Sequence, residues 1–270
     1  MSNFYVIGNP TKQSKSPLLF DYIFKQLNLK SYYKRQTIEN MDDLLIFIKE
    51  FKKMDIRGIN ITMPFKEIAC KYVDEIEQNA RIIQSINCIH FNKHKIIGYN
   101  NDYYGFNQLL EINNIHIHNS NNIVIGSGGS ARSIILSLIH KKAKNIYILS
   151  RNQEQITKIL LDMQLYQGNT YLNAFSNKMD LQNYNVINCT PISMLKNTNT
   201  EILESLPKTQ YNYIIDINYI IAHNCFKYDS NYKINGIDMF IYQALKSLDI
   251  WFESNISNKL DYQELRKIIC

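Results

Sequence analysis

Residues 121–139 read NNIVIGSGGSARSIILSLI: a short apolar strand-like run, a turn of glycine and serine, then an apolar segment at helical spacing. The turn holds Gly126, Ser127, Gly128, Gly129, Ser130 and Ala131, with Gly126, Gly128 and Ala131 in the pattern G-x-G-x-x-G/A. Each position has a physical purpose. The first glycine permits the tight turn, the second lets backbone approach a pyrophosphate, and a small third residue lets helix and strand pack closely. Phosphates then meet the positive end of the helix. A glycine-rich turn that binds nothing is the competing reading, and the strand before and helix after weigh against it.

Working outward, NIYILSR (145–151), VINCT (186–190) and YIIDINY (213–219) read as further strands, which makes this half a doubly wound, Rossmann-like parallel domain. An NAD site of this kind places Asp or Glu about 20 residues past the glycines to accept the ribose hydroxyl. Here the second strand ends in Ser150, Arg151 and Asn152. A guanidinium cannot accept that bond, but it can pair a 2′-phosphate through two parallel donors, which argues for NADP. A surface arginine at a strand end is the alternative.

The first hundred residues also alternate strand-like and helix-like segments. FYVIG (4–8) reads as a buried strand, and Ser16-Pro17 starts a helix with Ser16 at the cap. MDDLLIFIKEFKKMD places Leu44, Phe47, Ile48, Phe51 and Met54 on one helical face. GINITM (58–63) is a strand, and INCIHF with KIIGY forms a hairpin before the polar stretch NNDYYGF at 100–106. The fold class expected is therefore α/β with two domains. An N-terminal domain with a mixed sheet covers 1–102 and is completed by C-terminal helices 238–270; a dinucleotide-binding domain covers 103–237.

Bulk properties narrow the partners. The net charge of +6 is scattered rather than gathered in a stripe, which favours anionic small molecules over nucleic acid. Five cysteines without CxxC spacing or an export signal fit reduced thiols in a cytoplasm. The apolar run Ile134–Ile139 falls far short of the roughly 20 residues of a membrane span. His116 and His118 lack a third ligand nearby, so no metal is expected.

The stretch GINITMPFKE (58–67) ends a strand at Pro64 and puts a cation, Lys66, just beyond it. Lys66 and Asp102 each follow a strand-like segment, as a carbonyl reduction beside a nicotinamide would use them: one handles the alcohol proton while hydride moves. With GNPTKQSKSP (8–17), NITMPFKE (60–67), SINCI (85–89), GYNNDYYGF (98–106), GSGGSAR (126–132) and GIDMFIYQ (236–243), the chain resembles the shikimate dehydrogenase family in order and spacing.

That resemblance implies an NADP-dependent enzyme that reversibly reduces 3-dehydroshikimate to shikimate, in the pathway to aromatic amino acids, as a cytoplasmic monomer or homodimer. It implies Lys66 and Asp102 as the catalytic pair. Ser14 and Ser16 would bind the substrate carboxylate, and Asn60, Thr62, Asn87 and Gln243 its ring hydroxyls. Tyr219 would lie near substrate and nicotinamide. Thr190 and Gly236 would join the glycine loop, Ser150, Arg151 and Asn152 at the cofactor.

The chain departs from the family pattern at four places. Asn101 stands where threonine is common, a swap expected to have little effect; Ser193 replaces a usual glycine; and IIAHN follows Tyr219 in place of a proline-containing turn. The phosphate-binding run is SRNQEQ, with Gln155 in place of a second arginine. Two rivals therefore stay open: a quinate/shikimate dehydrogenase that prefers NAD, and a nucleotide-binding protein that has lost the chemistry.

Overall fold

The computed structural model describes residues 2–50, 55–92, 95–176, 183–194, 200–220 and 228–270. Phe51, Met54, Cys225 and most of the IIAHN segment lie outside the described residues. The chain divides into two compact units, Met1–Gly105 with Ile241–Cys270, and Phe106–Phe240.

The first unit is built on strands β1 (Ser2–Gly8), β2 (Ser31–Thr37), β3 (Ile56–Ile61), β4 (Glu75–Ile76), β5 (Cys88–Asn92) and β6 (Lys95–Tyr99). They form a mixed sheet in the order β2-β1-β3-β5-β6-β4. β1 lies parallel to β2 and β3, whereas β5 is antiparallel to β3 and β6. Both faces are covered, and β1 shows how. Its side chains alternate between faces, so Phe4 stacks near Trp251 while Tyr5 meets Phe47 edge-on. One core layer gathers Ile7, Ile59 and Ile61 under helix α2 (Met41–Glu50), through Leu44 and Ile48. The other is aromatic: Phe20 and Phe24 from α1 (Ser16–Gln26) join Phe4, Tyr33 and the fully buried Trp251. Helix α3 (Gln78–Ile83) precedes β5, and α4 (Asn101–Ile112) follows β6.

The second unit holds β7 (Asn121–Ile125), β8 (Asn145–Leu149), β9 (Tyr171–Ala174), β10 (Tyr184–Asn188), β11 (Tyr211–Asp216) and β12 (Ser230–Asn235). All pairings are parallel, in the order β12-β11-β10-β7-β8-β9. This is the doubly wound arrangement whose strand order reverses between β7 and β10, where ligands bind in such sheets. Helices α5 (Gly129–His140) and α6 (Gln153–Met163) are its crossovers, and α7 (Glu201–Glu204) precedes β11. Helix α8 (Ile237–Phe252) begins in this unit and ends in the first, where α9 (Tyr262–Ile269) also lies.

Several sequence expectations shift. The cap position of α1 is Lys15, not Ser16, and Ser16 is the first helical residue; the turn is instead closed by Ser14 Oγ, which accepts the Ser16 N–H at 3.2 Å. β3 stops at Ile61, leaving Thr62 and Met63 beyond the strand. The polar stretch NNDYYGF, read from sequence without an assigned element, is largely the opening of α4. Asn100 Oδ1 accepts the Tyr103 N–H at 3.1 Å, which satisfies an open donor of the first turn. No helix among the described residues is long and apolar enough to cross a membrane.

Candidate active site

The end of β3, the turn after it and the first turn of α4 assemble the ionic centre of the first unit. Past Ile61 the chain turns, with the Phe65 N–H donating to Thr62 O at 3.2 Å and the Ile86 N–H donating to Lys66 O at 2.9 Å. This fixes the backbone of Lys66, whose Nζ donates to Asp102 Oδ2 at 2.6 Å. The side chains are 16% and 8% exposed, so the pair is mostly desolvated yet still reachable. Asp102 is the second residue of α4, where the positive end of the helix favours a carboxylate. Its Oδ1 accepts Asn87 Nδ2 at 2.7 Å, and Asn87 Oδ1 accepts the Asn101 N–H at 2.7 Å. Asn87 Nδ2 also stands 3.5 Å from Gln243 Oε1 on α8. Lys66, Asp102, Asn87 and Gln243 thus form one hydrogen-bonded chain.

The other substrate-side residues take different places. Ser14 and Ser16 bond each other at 3.1 Å, and Arg35 holds Ser14 O from β2 with its Nε and Nη2. Thr62 packs its methyl against Gly8, where a side chain would collide with it. Asn60 is buried, and its amide is occupied. Oδ1 accepts the Tyr33 hydroxyl at 2.8 Å, while Nδ2 donates to Asn87 O at 3.2 Å and Ser247 Oγ at 2.9 Å.

In the second unit the glycine loop sits at the strand-order reversal. Gly126 adopts φ +115°, a conformation that favours glycine, and a Cβ there would press on Thr190 Cγ2 at 3.1 Å. Gly128 is the cap residue of α5 and supplies no side-chain cap, so the first N–H groups of the helix point outward without one. A Cβ on Gly128 would meet nothing within 4 Å, which leaves a cradle for a ligand. Gly129 and Ser130 open the helix, and buried Ala131 lets it pack. Ser127 and Ser150 share a hydroxyl hydrogen bond at 2.8 Å that ties this loop to the end of β8. Arg151 is exposed beside it, and Asn152 caps α6 by accepting the Gln155 N–H at 3.0 Å. Uncapped N–H groups, an open cradle and an exposed guanidinium fit a phosphorylated dinucleotide.

Beside the glycine loop, two loops are laced by one buried carboxylate. Asp216 Oδ1 accepts Asn188 Nδ2 at 3.1 Å and Asn218 Nδ2 at 2.7 Å. Asn218 Nδ2 also reaches Thr190 O at 2.8 Å and Ser193 Oγ at 2.9 Å. Burial pushes the Asp216 carboxyl above its usual range, against the hydrogen bonds that lower it. Tyr219 follows, stacked on Phe240 with ring centroids 4.0 Å apart. Gly236 packs so closely that a Cβ would overlap the Ile217 carbonyl. Sequence reasoning did not single out Asp216, Tyr33 or Ser247. For Ser247 one signal existed, its place one helical turn after Gln243.

Among the described residues, no three His, Cys, Asp or Glu side chains gather as a metal site. His116 and His118 are exposed, alternating with buried Ile115 and Ile117.

Residues 6–89 match the family described as shikimate dehydrogenase substrate binding domain. A shikimate dehydrogenase (NADP(+)) of Clostridium beijerinckii is 33% identical over 266 residues, covering 96% of this chain and 95% of the relative. A crystal structure of shikimate dehydrogenase in complex with NADP+ superimposes with a TM-score of 0.82 at 25% identity, covering 100% of this chain and 94% of the other. The Listeria monocytogenes shikimate 5-dehydrogenase, solved with shikimate and NAD, has a TM-score of 0.82 at 19% identity, covering 100% and 96%.

Proposed function

Since this chain belongs to the shikimate dehydrogenase family, we propose that it interconverts 3-dehydroshikimate and shikimate with NADP(H), in the biosynthesis of aromatic compounds. The observation that carries the reading is the Lys66–Asp102 pair, held on the same scaffold as Asn87 and Gln243.

Held at the glycine loop with Ser150, Arg151 and Asn152, the dinucleotide would supply the hydride chemistry at the ketone carbon in either direction. The chain's own groups do the rest. Lys66 Nζ has three donors, one of which Asp102 takes. The Lys66 ammonium gives the ketone oxygen its proton as the alcohol forms, and recovers it in the oxidation. Asp102 keeps the ammonium in place and balances its charge, while Asn87 fixes the carboxylate from the other side. Gln243 and Thr62 contact ring hydroxyls. Ser14 and Ser16 offer neutral hydroxyls to the substrate carboxylate, with the Arg35 guanidinium bonded to Ser14 O beside them.

On the cofactor side, Gly126, Ser127, Gly128, Gly129, Ser130 and Ala131 form the phosphate cradle. Ser150, Arg151 and Asn152 face the adenosine phosphate, and Thr190, Tyr219 and Gly236 line the nicotinamide end. Arg151 supports NADP, as does the naming of the Clostridium relative. The protein works on a small molecule, as a monomer or homodimer; Cys70, Cys88, Cys189 and Cys270 remain thiols, which suits a cytoplasm.

Mixing the protein with NADPH and 3-dehydroshikimate and following cofactor absorbance tests the assignment. Turnover is expected, and absorbance no different from a blank overturns it. One observation favours a second reading: Gln155, at the place of the second arginine, gives no cation to the 2′-phosphate. A quinate/shikimate dehydrogenase preferring NAD would show higher kcat/KM with NADH and with quinate in the same assay.

A further inference from the structure

Ser247 is fully buried on α8, and its hydroxyl is used to capacity. A serine hydroxyl has one donor and two acceptor sites. Here Oγ donates to Gln243 O at 2.9 Å and accepts Asn60 Nδ2 and Asn101 Nδ2, each at 2.9 Å. The three partners come from α8, β3 and α4, so one oxygen joins three elements that converge under the ionic centre.

The consequences reach the reacting groups within one residue. Asn101 precedes Asp102, and its backbone N–H is held by Asn87 Oδ1, whose amide nitrogen holds Asp102. With both ends of Asn101 bonded, the first turn of α4 has a fixed position, and the Asp102 carboxylate inherits it. Gln243 lies one turn before Ser247 on α8, and its side chain meets Asn87. Asn60, whose amide hydrogens go to Asn87 O and Ser247 and whose oxygen takes the Tyr33 hydroxyl, has no polar capacity left in its N–H groups for a ligand.

We propose that Ser247 is a positioning residue of the substrate site, setting Asp102 and Gln243 through a frame of Asn60, Asn87 and Asn101, and that Asn60 belongs to this frame rather than to the ring-hydroxyl contacts. The inference rests on the shikimate dehydrogenase reading and deepens it. It also assigns a purpose to Asn101, the departure from the family's threonine: its amide supplies the N–H that the Ser247 oxygen accepts. Replacing Ser247 by alanine leaves two buried amide donors without this acceptor, a loss that the surroundings relieve by moving the amides.

The test is a double-mutant cycle of Ser247→Ala and Asn101→Ala, with KM and kcat measured for shikimate and KM for NADP+, and melting followed in parallel. Ser247→Ala is expected to raise shikimate KM about tenfold, with NADP+ KM within about twofold of the parent. In the Asn101→Ala background the same change is expected to raise it less than about threefold, because one shared bond is already gone. Ser247→Thr, which keeps the hydroxyl, is expected to recover most of the shikimate KM. A folded Ser247→Ala protein with parental shikimate KM and kcat overturns the proposal and leaves Ser247 as packing alone. Should Ser247→Ala fail to fold, Asn101→Ala decides: a raised shikimate KM with unchanged NADP+ KM supports the frame, and a parental KM overturns it. A parent chain with no turnover at all overturns the functional reading and this inference together.

Discussion

Lys66 Nζ stands 2.6 Å from Asp102 Oδ2, while the other carboxylate oxygen takes Asn87 Nδ2 at 2.7 Å. The carboxylate is thus held from two sides, by the ammonium and by an amide. Positioned acid–base groups contribute about 10²–10⁴ in rate. Lys66→Ala is expected to lower kcat by about that range while changing shikimate KM far less, since the proposed substrate contacts of Ser14, Ser16 and Gln243 are left in place. Steady-state kinetics on both constants check it; a variant as fast as the parent returns Lys66 to an ordinary partly exposed charge.

In the proposed function, cofactor choice divides between two positions that follow β8, one at the strand end and one on α6. Arg151 is exposed at the strand end, and Gln155 sits on the first turn of α6, where the family pattern has a second arginine. A charge-assisted hydrogen bond contributes about 1.5–3 kcal/mol, or about ten- to a hundredfold in affinity. Arg151→Ala should raise the KM for NADPH by about that factor and leave the KM for NADH nearly unchanged. Gln155→Arg should move the preference the other way, toward NADPH. Equal effects on both cofactors in either variant would show that these residues do not meet the 2′-phosphate.

Asp216 links ionisation to stability. Burial raises its folded pKa above the usual carboxylate value of 3.8. The folded state therefore binds the proton more tightly than the unfolded state, and this contribution to stability is lost as pH rises from the unfolded value through the raised folded one. Asp216→Asn keeps an acceptor for Asn188 and Asn218 without the charge. The melting temperature of the variant, relative to the parent, should be more favourable at pH 7 than at pH 4. A difference that does not change with pH would mean that the hydrogen bonds offset the burial completely.

Much of this was legible in the chain, for reasons that differ from place to place. The glycine loop could be read because Gly126, Gly128 and Ala131 are dictated locally by a turn, an approach and a packing contact. The parallel, doubly wound character of the second unit could be read because β and α segments alternate along it. α4 was not legible, because its first turn is polar and buried: Asn101 and Asp102 face inward only since Ser247, Asn87 and Lys66 receive them. β2 and β12 were missed for the opposite reason; as edge strands they bury almost no side chain and carry little apolar alternation. The occupied amide of Asn60 and the hub at Ser247 depend on partners 187 and 146 residues away in sequence, beyond the reach of local pattern.

Two glycines separate packing from binding. Gly58 on β3 faces the indole of Trp251, and a Cβ there would overlap Nε1 and Cδ1. Trp251 has nowhere to retreat, with Phe4 and Phe20 against its ring at 4.7 and 5.3 Å between centroids and its Nε1 donating to Ile89 O at 2.9 Å. Gly58→Ala should therefore destabilise the protein by about 1–3 kcal/mol through overpacking, and more where the indole loses its acceptor. Gly128 has open space instead, with ordinary negative φ. Gly128→Ala should leave the urea midpoint within experimental scatter and weaken NADP+ binding, because the added methyl enters the phosphate cradle. Urea unfolding and NADP+ titration of both variants give the contrast: one loses stability, the other loses cofactor affinity. A Gly128→Ala protein that binds NADP+ like the parent would move the phosphates off this loop.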